Sequence, residues 1–480
     1  MMKFLSILLL FWGINTNSYA QSMIIYYADG EKSFIKTEDV DSITISENTK
    51  SELKKSLSDS LARLNSKVAE LENSPIELAH GRYYNLNTMN CLSSSDNILV
   101  EDDFNETMFS NSALKISVKD IASKENTNHS DSYRGYVDFT LPSVEKINKS
   151  LSFWIKMPSR FQQDDRIGTP SEVSCGRIII SLYLGNEKKY SKDVYGEFEL
   201  TSGWSLFKFI DEKTLGITFD KVRISLITFD EHPNMYFWID SFVIDQMAKP
   251  TLLLSFDNNF SNEHSDFLQY LYDNKIPFSA TASLNNSLYQ QAYKDGLVDI
   301  SIYNNEAKSK MSINEIQTYL SEKTNDEVYK HDFFDKKVET ILSSTNYIND
   351  KLLESQLGMG FNIIRVSNSY NYSSYFGGKA RVVKTQGFGG ISKGQVADEK
   401  YIDEQIKYGK KYIDELIKFG CIGGQMNHQV VKAKDLKDND YGLAGVYEAV
   451  KGVIGYALEK QKEGKLRIMN LSSLYHSSLK

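Results

Sequence analysis

Cysteine is scarce, with three in 480 residues: Cys91, Cys175 and Cys421. An odd count with no CxxC spacing excludes a disulfide framework and a thiolate zinc site. Cys91 and Cys175 fall in one region and could pair, but the favoured reading is three unpaired or buried thiols. Cys421 lies in an apolar strand. Positive charge is also short, with 55 Lys and Arg against 63 Asp and Glu and a formal net charge of -8. Nucleic-acid phosphates need clustered Lys and Arg, so the balance argues against that partner. It argues equally against an anionic membrane surface. The only long apolar run, residues 4–14, falls short of the ~20 residues that span a bilayer. Tryptophan is rare, and the three beyond residue 20 (Trp154, Trp204 and Trp238) all fall in one region.

Residues 1–20 have the build of a secretory signal peptide. Lys3 is followed by the apolar run, and Ser18-Tyr19-Ala20 is a small-x-small cleavage site before Gln21. Export to the periplasm, the cell surface or the medium is expected. Residues 23–46 predict a short hairpin, with strands at 23–27 and 40–45 and a turn signal at Asp29-Gly30. This stretch resembles a segment that precedes many exported Bacteroidetes proteins. Residues 51–73 carry Leu57, Leu64 and Leu71 seven apart, with Leu61 and Val68 between them. That is heptad spacing, and the segment predicts either a short coiled coil that joins copies of the chain or a single amphipathic helix.

Between 80 and 247, short apolar stretches alternate with clusters of Gly, Asn, Asp, Ser and Pro. The stretches are 135–141, 151–157, 177–184, 204–210, 222–229 and 235–244. The pattern predicts an all-β, jelly-roll-like sandwich. Its three Trp either fill the core, the favoured reading, or form a glycan-stacking face.

After Lys249-Pro250 the pattern becomes alternating strand and helix. The stretch 251–256 is a continuous apolar strand of the kind found in parallel sheets buried on both faces. Helices are expected at 263–274, 286–295, 333–356, 398–419 and 443–462, with another opened by the capping box Ser312-Ile313-Asn314-Glu315. Strands are expected at 276–282, 297–302, 361–366, 380–384, 421–426 and 466–469. Residues 249–480 therefore predict a parallel α/β barrel whose functional residues sit at the C-terminal ends of the strands. Those positions hold Asp257 and Asn258, the stretch from Ile302 through Tyr303 to Glu306, Arg365, and His428.

"TLLLSFDNNFSNEHSDFLQYLYDNKIPFSATAS", "DGLVDISIYNNE", "KMSINEIQTYLSE" and "CIGGQMNHQVV…EGKLRIMNLSSLY" follow one another in order over residues 249–476. On these segments the chain resembles the polysaccharide deacetylases, the NodB-homology carbohydrate esterases. That resemblance implies a distorted barrel, a polysaccharide as partner, and hydrolysis of an acetyl group. A divalent metal would polarise the carbonyl while an Asp acts as base and a His as acid. Asp257 matches the base, His428 the acid, and Arg365 the Arg that orients the base, although R-P-x-Y-G reads "RVSNSY" here. The metal ligands are mostly missing. Asn258 replaces an Asp, and Ile302 and Glu306 stand where two His belong. A cage of Asp257, Asn258 and Glu306 would be all oxygen, suiting Mg²⁺ or Ca²⁺ rather than zinc. No metal is therefore assigned, and Asn258, Glu306 and Tyr303 are kept as binding candidates.

Four readings follow. The chain is a polysaccharide deacetylase-like protein with weakened or lost metal-dependent activity. Alternatively it is an active deacetylase with a rebuilt site, or a purely glycan-binding surface protein. Metal-free acid–base chemistry by Asp257 and His428 ranks last.

Overall fold

The computed structural model describes residues 22–26, 32–36, 81–86, 88, 91–93, 96–108, 112–119, 131–157, 177–195, 203–229, 236–257, 260, 265–304, 312–330, 334, 336–343, 350–367, 380–437, 440 and 444–478. The chain divides into two compact units, residues 1–70 and 71–480. In the first unit, β1 (Ser22–Tyr26) pairs antiparallel with β2 (Lys32–Lys36), Ile24 facing Phe34. The turn signal Asp29-Gly30 lies between the two strands in sequence and outside the described residues. The strand described as pairing with β1 is 32–36, a short connection of the kind an Asp-Gly signal favours. The stretch 40–45, the signal-peptide segment and the heptad segment 51–73 lie outside the described residues.

The second unit begins with antiparallel strands β3 (Arg82–Asn85), β4 (Cys91–Ser93), β5 (Ile98–Asp103), β6 (Ala113–Val118), β7 (Asp131–Lys146), β8 (Leu151–Met157), β9 (Arg177–Leu184), β10 (Glu187–Tyr195), β11 (Gly203–Lys208), β12 (Thr218–Phe229) and β13 (Tyr236–Ile244). They form two sheets. One runs β10-β9-β12-β7-β4, and the other runs β11-β8-β13-β6-β5, with β3 also on β13. Alternating burial, as in Arg177–Leu184, sends Ile178, Ile180 and Leu182 inward. There they meet Val137, Phe139, Val222, Ile224 and, from the other sheet, Phe153 and Phe242. Phe139 and Phe242 meet edge to face at 5.7 Å across the core. This is the period-2 pattern of a sandwich.

The Trp residues lie on the other side of the second sheet. Trp154 and Trp204 are buried with Ala113, Leu206, Val243 and Ala380, and Trp238 packs beside them. Ala380 belongs to the barrel segment that follows, so this face of the sandwich is covered by the barrel. An added Cβ at Gly203 would meet Leu353 of that barrel at 3.0 Å. The buried Lys208 Nζ donates to Gln246 O at 2.7 Å and Gly420 O at 3.3 Å. Burial pushes its pKa down to about 8.

The remaining elements are β14 (Thr251–Phe256), α1 (Ser265–Asp273), β15 (Phe278–Ala280), α2 (Ser287–Lys294), β16 (Val298–Asn304), α3 (Ile313–Thr324), α4 (Glu327–Lys330), β17 (Thr340–Ser343), α5 (Asp350–Gly358), β18 (Ile363–Ser367), β19 (Val382–Gln386), α6 (Glu399–Phe419), β20 (Ile422–Asn427), β21 (Gln429–Val431), β22 (Ala444–Val446), α7 (Tyr447–Lys462), β23 (Arg467–Met469) and α8 (Leu471–Ser478). Strands β14 through β20 pair in parallel in chain order, and β20 returns to β14. The result is a closed seven-stranded barrel. β15 holds β14 at Ser255 and Phe256, and β23 holds it lower down at 251–253.

The long helix expected over 333–356 is instead β17 followed by α5. Thr340–Ser343 is four residues long and wholly buried. A short apolar run carries no period that separates strand from buried helix. The capping box at Ser312 and Glu315 is present on both sides. Gly420 ends α6 at φ 59°, a conformation that glycine takes without a Cβ penalty.

Along the barrel strands, residues alternate between the helices outside and the lumen inside. The lower lumen is filled by Leu253, Leu342, Ile363, Val383 and Ile422, onto which α8 packs Leu471 and Leu474. Asp299 anchors that helix. It accepts from Ser279 Oγ at 2.9 Å, from Ser472 N at 3.2 Å and from Ser472 Oγ. Burial outweighs these bonds and raises its pKa to about 6. The folded state therefore holds this proton more tightly than the unfolded chain does. The contribution is complete below pH ~4 and is lost as pH rises through about 6. Stability should fall by roughly 2–3 kcal/mol over that interval. Urea midpoints measured from pH 4 to 7 check this, and Asp299→Asn should flatten the slope.

Candidate functional site

β14 ends where Asp257 N donates to Asn427 O at 3.0 Å, so the seam between β14 and β20 sets the height of Asp257. The carboxylate is 2% exposed and points into the upper lumen. Arg365 comes from β18, on the far side of the barrel, and is fully buried. Its Nη2 is in contact with Asp257 Oδ1. Its Nη1 donates to Ser343 O at 3.2 Å and lies 3.0 Å from Met426 Sδ. One guanidinium thus braces β14, β17, β18 and β20. Only a long side chain with a planar fork of donors spans a lumen in this way. Burial pushes Arg365 down to about 9, which leaves it charged at neutral pH.

His428 follows β20 directly. Its Nδ1 faces Asp257 Oδ2 at 3.5 Å, and its side chain is 24% exposed. Burial first, and the Arg365 charge second, hold the imidazole below its usual range. The ring is neutral at pH 7. Tyr303, on β16, points inward and sets its ring edge to face with His428 at 5.8 Å. Tyr303 is half-buried, and burial raises its phenol.

The structure therefore gathers four of the residues singled out from the sequence: Asp257, Arg365, His428 and Tyr303. Asn258 and Glu306 lie outside the described residues. Ile302 does not stand at the mouth. It points outward and packs with Ile316, Leu320, Ile341 and Ile364 under the helices. Its neighbour Tyr303 takes the inward position, because successive strand residues face opposite sides. Asn427 and Gln425, missed in the sequence, are buried beside the seam. Gln425 Nε2 donates to Asn427 Oδ1 at 3.1 Å, and Asn427 Nδ2 donates to Phe388 O at 3.0 Å. Their signal was polar residues within an otherwise apolar strand.

A divalent metal of the kind the family resemblance implies does not fit these residues. Among the described residues no three His, Cys, Asp or Glu side chains converge. Asp257, the carboxylate described at the mouth, already faces Arg365 and His428. A cation placed at Asp257 would sit against the Arg365 guanidinium. What the arrangement does offer is a partly exposed imidazole at the mouth, with a buried carboxylate 3.5 Å from its Nδ1.

No family model and no curated protein matches the chain. Among solved structures, a glycoside hydrolase domain, Endo-D from Streptococcus pneumoniae R6, aligns at 16% identity and TM-score 0.23 over 34% of this chain, which spans 22% of that one. A peptidoglycan deacetylase from Bacillus subtilis aligns at 10% identity and TM-score 0.27, over 48% of this chain and 91% of that one. The CE4 domain of a multidomain xylanase from the hindgut metagenome of Trinervitermes trinervoides aligns at 14% identity and TM-score 0.28, over 48% and 90%. Overlaps this loose carry no argument about activity, and the site stands on the strand pairings and distances given above.

Proposed function

We propose that the chain is an exported, polysaccharide deacetylase-like protein that holds a polysaccharide at the barrel mouth and has lost metal-dependent deacetylation. The observation that carries this reading is the set of metal donors around Asp257. The position matching the family's base faces a guanidinium on one oxygen and an imidazole on the other. The resemblance itself implies an Arg beside the base, so these contacts keep the base in place, and the loss lies in the donors around it. Among the described residues no three His, Cys, Asp or Glu side chains converge to hold a metal, and hydrolysis without one lacks its Lewis acid. The binding part of the reading rests on His428 and Tyr303, which offer a polar nitrogen and a ring edge at the open end of the lumen.

The test is metal content together with acetate release. Purified chain is equilibrated with Zn²⁺, Co²⁺, Mg²⁺ and Ca²⁺ and desalted. It is then assayed on acetylated xylan and chitin oligosaccharides. The expected result is no tightly held ion and no acetate release above a His428→Ala control. About one retained ion per chain, with acetate release that His428→Ala abolishes, would establish an active enzyme with ligands supplied from elsewhere. His428 serves as the probe because it is partly exposed and its removal leaves the buried ion pair intact.

A further inference from the structure

The Trp face of the sandwich is covered, but the outer face of the other sheet carries a second aromatic cluster. Tyr133 and Tyr136 come from β7, Lys221 and Arg223 from β12, and Tyr183 from β9. Arg223 Nε and Nη2 grip Asp138 at 2.6 and 2.7 Å. Its guanidinium lies 3.4 Å from the Tyr136 ring centroid and 5.0 Å from that of Tyr183. Lys221 Nζ stands 4.9 Å from the Tyr183 centroid and 3.5 Å from Asp138. The Tyr133 ring is 60% exposed.

This cluster depends on a backbone irregularity. Residues three apart on a regular strand face opposite sides, so Tyr133 and Tyr136 should be separated by the sheet. The pairing shifts instead, with Tyr136 opposite Ser225, Gly135 opposite Leu226, and Tyr133 opposite Ile227. Arg134 is the extra residue, tied back by its Nε to Thr228 Oγ1 at 2.5 Å. Gly135 takes φ 148°, which a side chain would resist. The bulge brings both rings to the outer face, and bulges are commonly used to re-aim a side chain in this way.

The cluster is balanced within itself: Asp138 is answered by Arg223 and Lys221. It presents exposed ring surface, a rigidly held guanidinium whose Nη1 is not used in gripping Asp138, and no uncompensated anion. We infer that this face is a binding site for a neutral, hydroxyl-rich polysaccharide chain. Pyranose C–H faces would lie on the Tyr133 ring, and sugar hydroxyls would bond the Arg223–Asp138 pair. The inference rests on the polysaccharide reading above but places binding at a second location, remote from the barrel mouth.

The experiment is affinity electrophoresis of the full chain in gels containing xylan, glucomannan or mixed-linkage β-glucan, with alginate as the charged comparison. The inference expects retention on at least one neutral polymer. It expects that retention to weaken about tenfold or more in Tyr133→Ala, the scale of losing one stacked ring, and also in Arg223→Lys. The Tyr133→Ala loss should be of the same size in a His428→Ala background, in which the barrel mouth is already altered. Tyr133 is exposed, so an unaltered urea midpoint shows that its loss is local. Retention lost in His428→Ala and kept in Tyr133→Ala would keep the barrel reading and overturn the sandwich site. Retention on alginate alone, or on no polymer, would also overturn it.

Discussion

Arg365→Ala is expected to cost about 3–5 kcal/mol of stability, read as a fall in the urea midpoint of the barrel transition. The reason lies in what remains behind. Asp257 is 2% exposed, and Arg365 is fully buried. Removing the guanidinium leaves a carboxylate with neither solvent nor counter-charge. Asp257→Ala should also destabilise, because it leaves a buried cation without its counter-charge. The double change Asp257→Leu with Arg365→Met should recover most of either loss, since a buried pair replaced by well-packed apolar groups is often close to neutral. A cost below about 1 kcal/mol for Arg365→Ala would place the pair in the class of solvent-screened ion pairs and contradict the buried geometry.

Trp154→Ala is expected to cost a similar 3–5 kcal/mol, the range for emptying a large aromatic site in a packed core. Trp154 is 0% exposed and sits among Ala113, Leu206 and Val243, with Ala380 of the barrel beside them. Trp238 is only partly buried. Its Nε1 donates to Asp103 Oδ2 at 2.9 Å, and Lys156 stands 5.3 Å from its ring centroid. Trp238→Ala should cost about 1 kcal/mol, nearer the median for single substitutions. Neither substitution should abolish retention on a polysaccharide gel in chain that remains folded. Loss of retention in folded Trp154→Ala would return the glycan face to the Trp cluster.

Much of the barrel was legible in the sequence because its signals are local. Wholly buried runs such as 251–256, the Ser312 capping box and the glycine that closes α6 each state their own structure. Asp257, Arg365 and His428 could be placed because each ends or follows an identifiable strand. Three things were not legible, for separate reasons. β17 was hidden in a presumed helix, because four buried residues have no readable period. Ile302 was put at the mouth together with Tyr303, because strand facing turns on a one-residue choice that only pairing decides. The tyrosine cluster of the sandwich was missed because the bulge at Arg134 reverses the alternation on which any reading of faces depends. Arg134-Gly135 inside an apolar strand was the only trace of it.

The closure of the barrel has a consequence for how the chain reaches its native state. Ser255 and Gln425 face each other across the β14–β20 seam from 170 residues apart. Every other barrel strand lies between them in sequence. A contact of such long range forms late, because the intervening chain must be ordered before the seam can shut. Asp257 and His428 stand on the two sides of that seam. The groups at the mouth therefore come together only in the final step of assembly, and any species that exposes β14 and β20 as free edges is both siteless and prone to stick to its own kind. Formation of the Asp257–His428 contact is in effect a clock for completed folding.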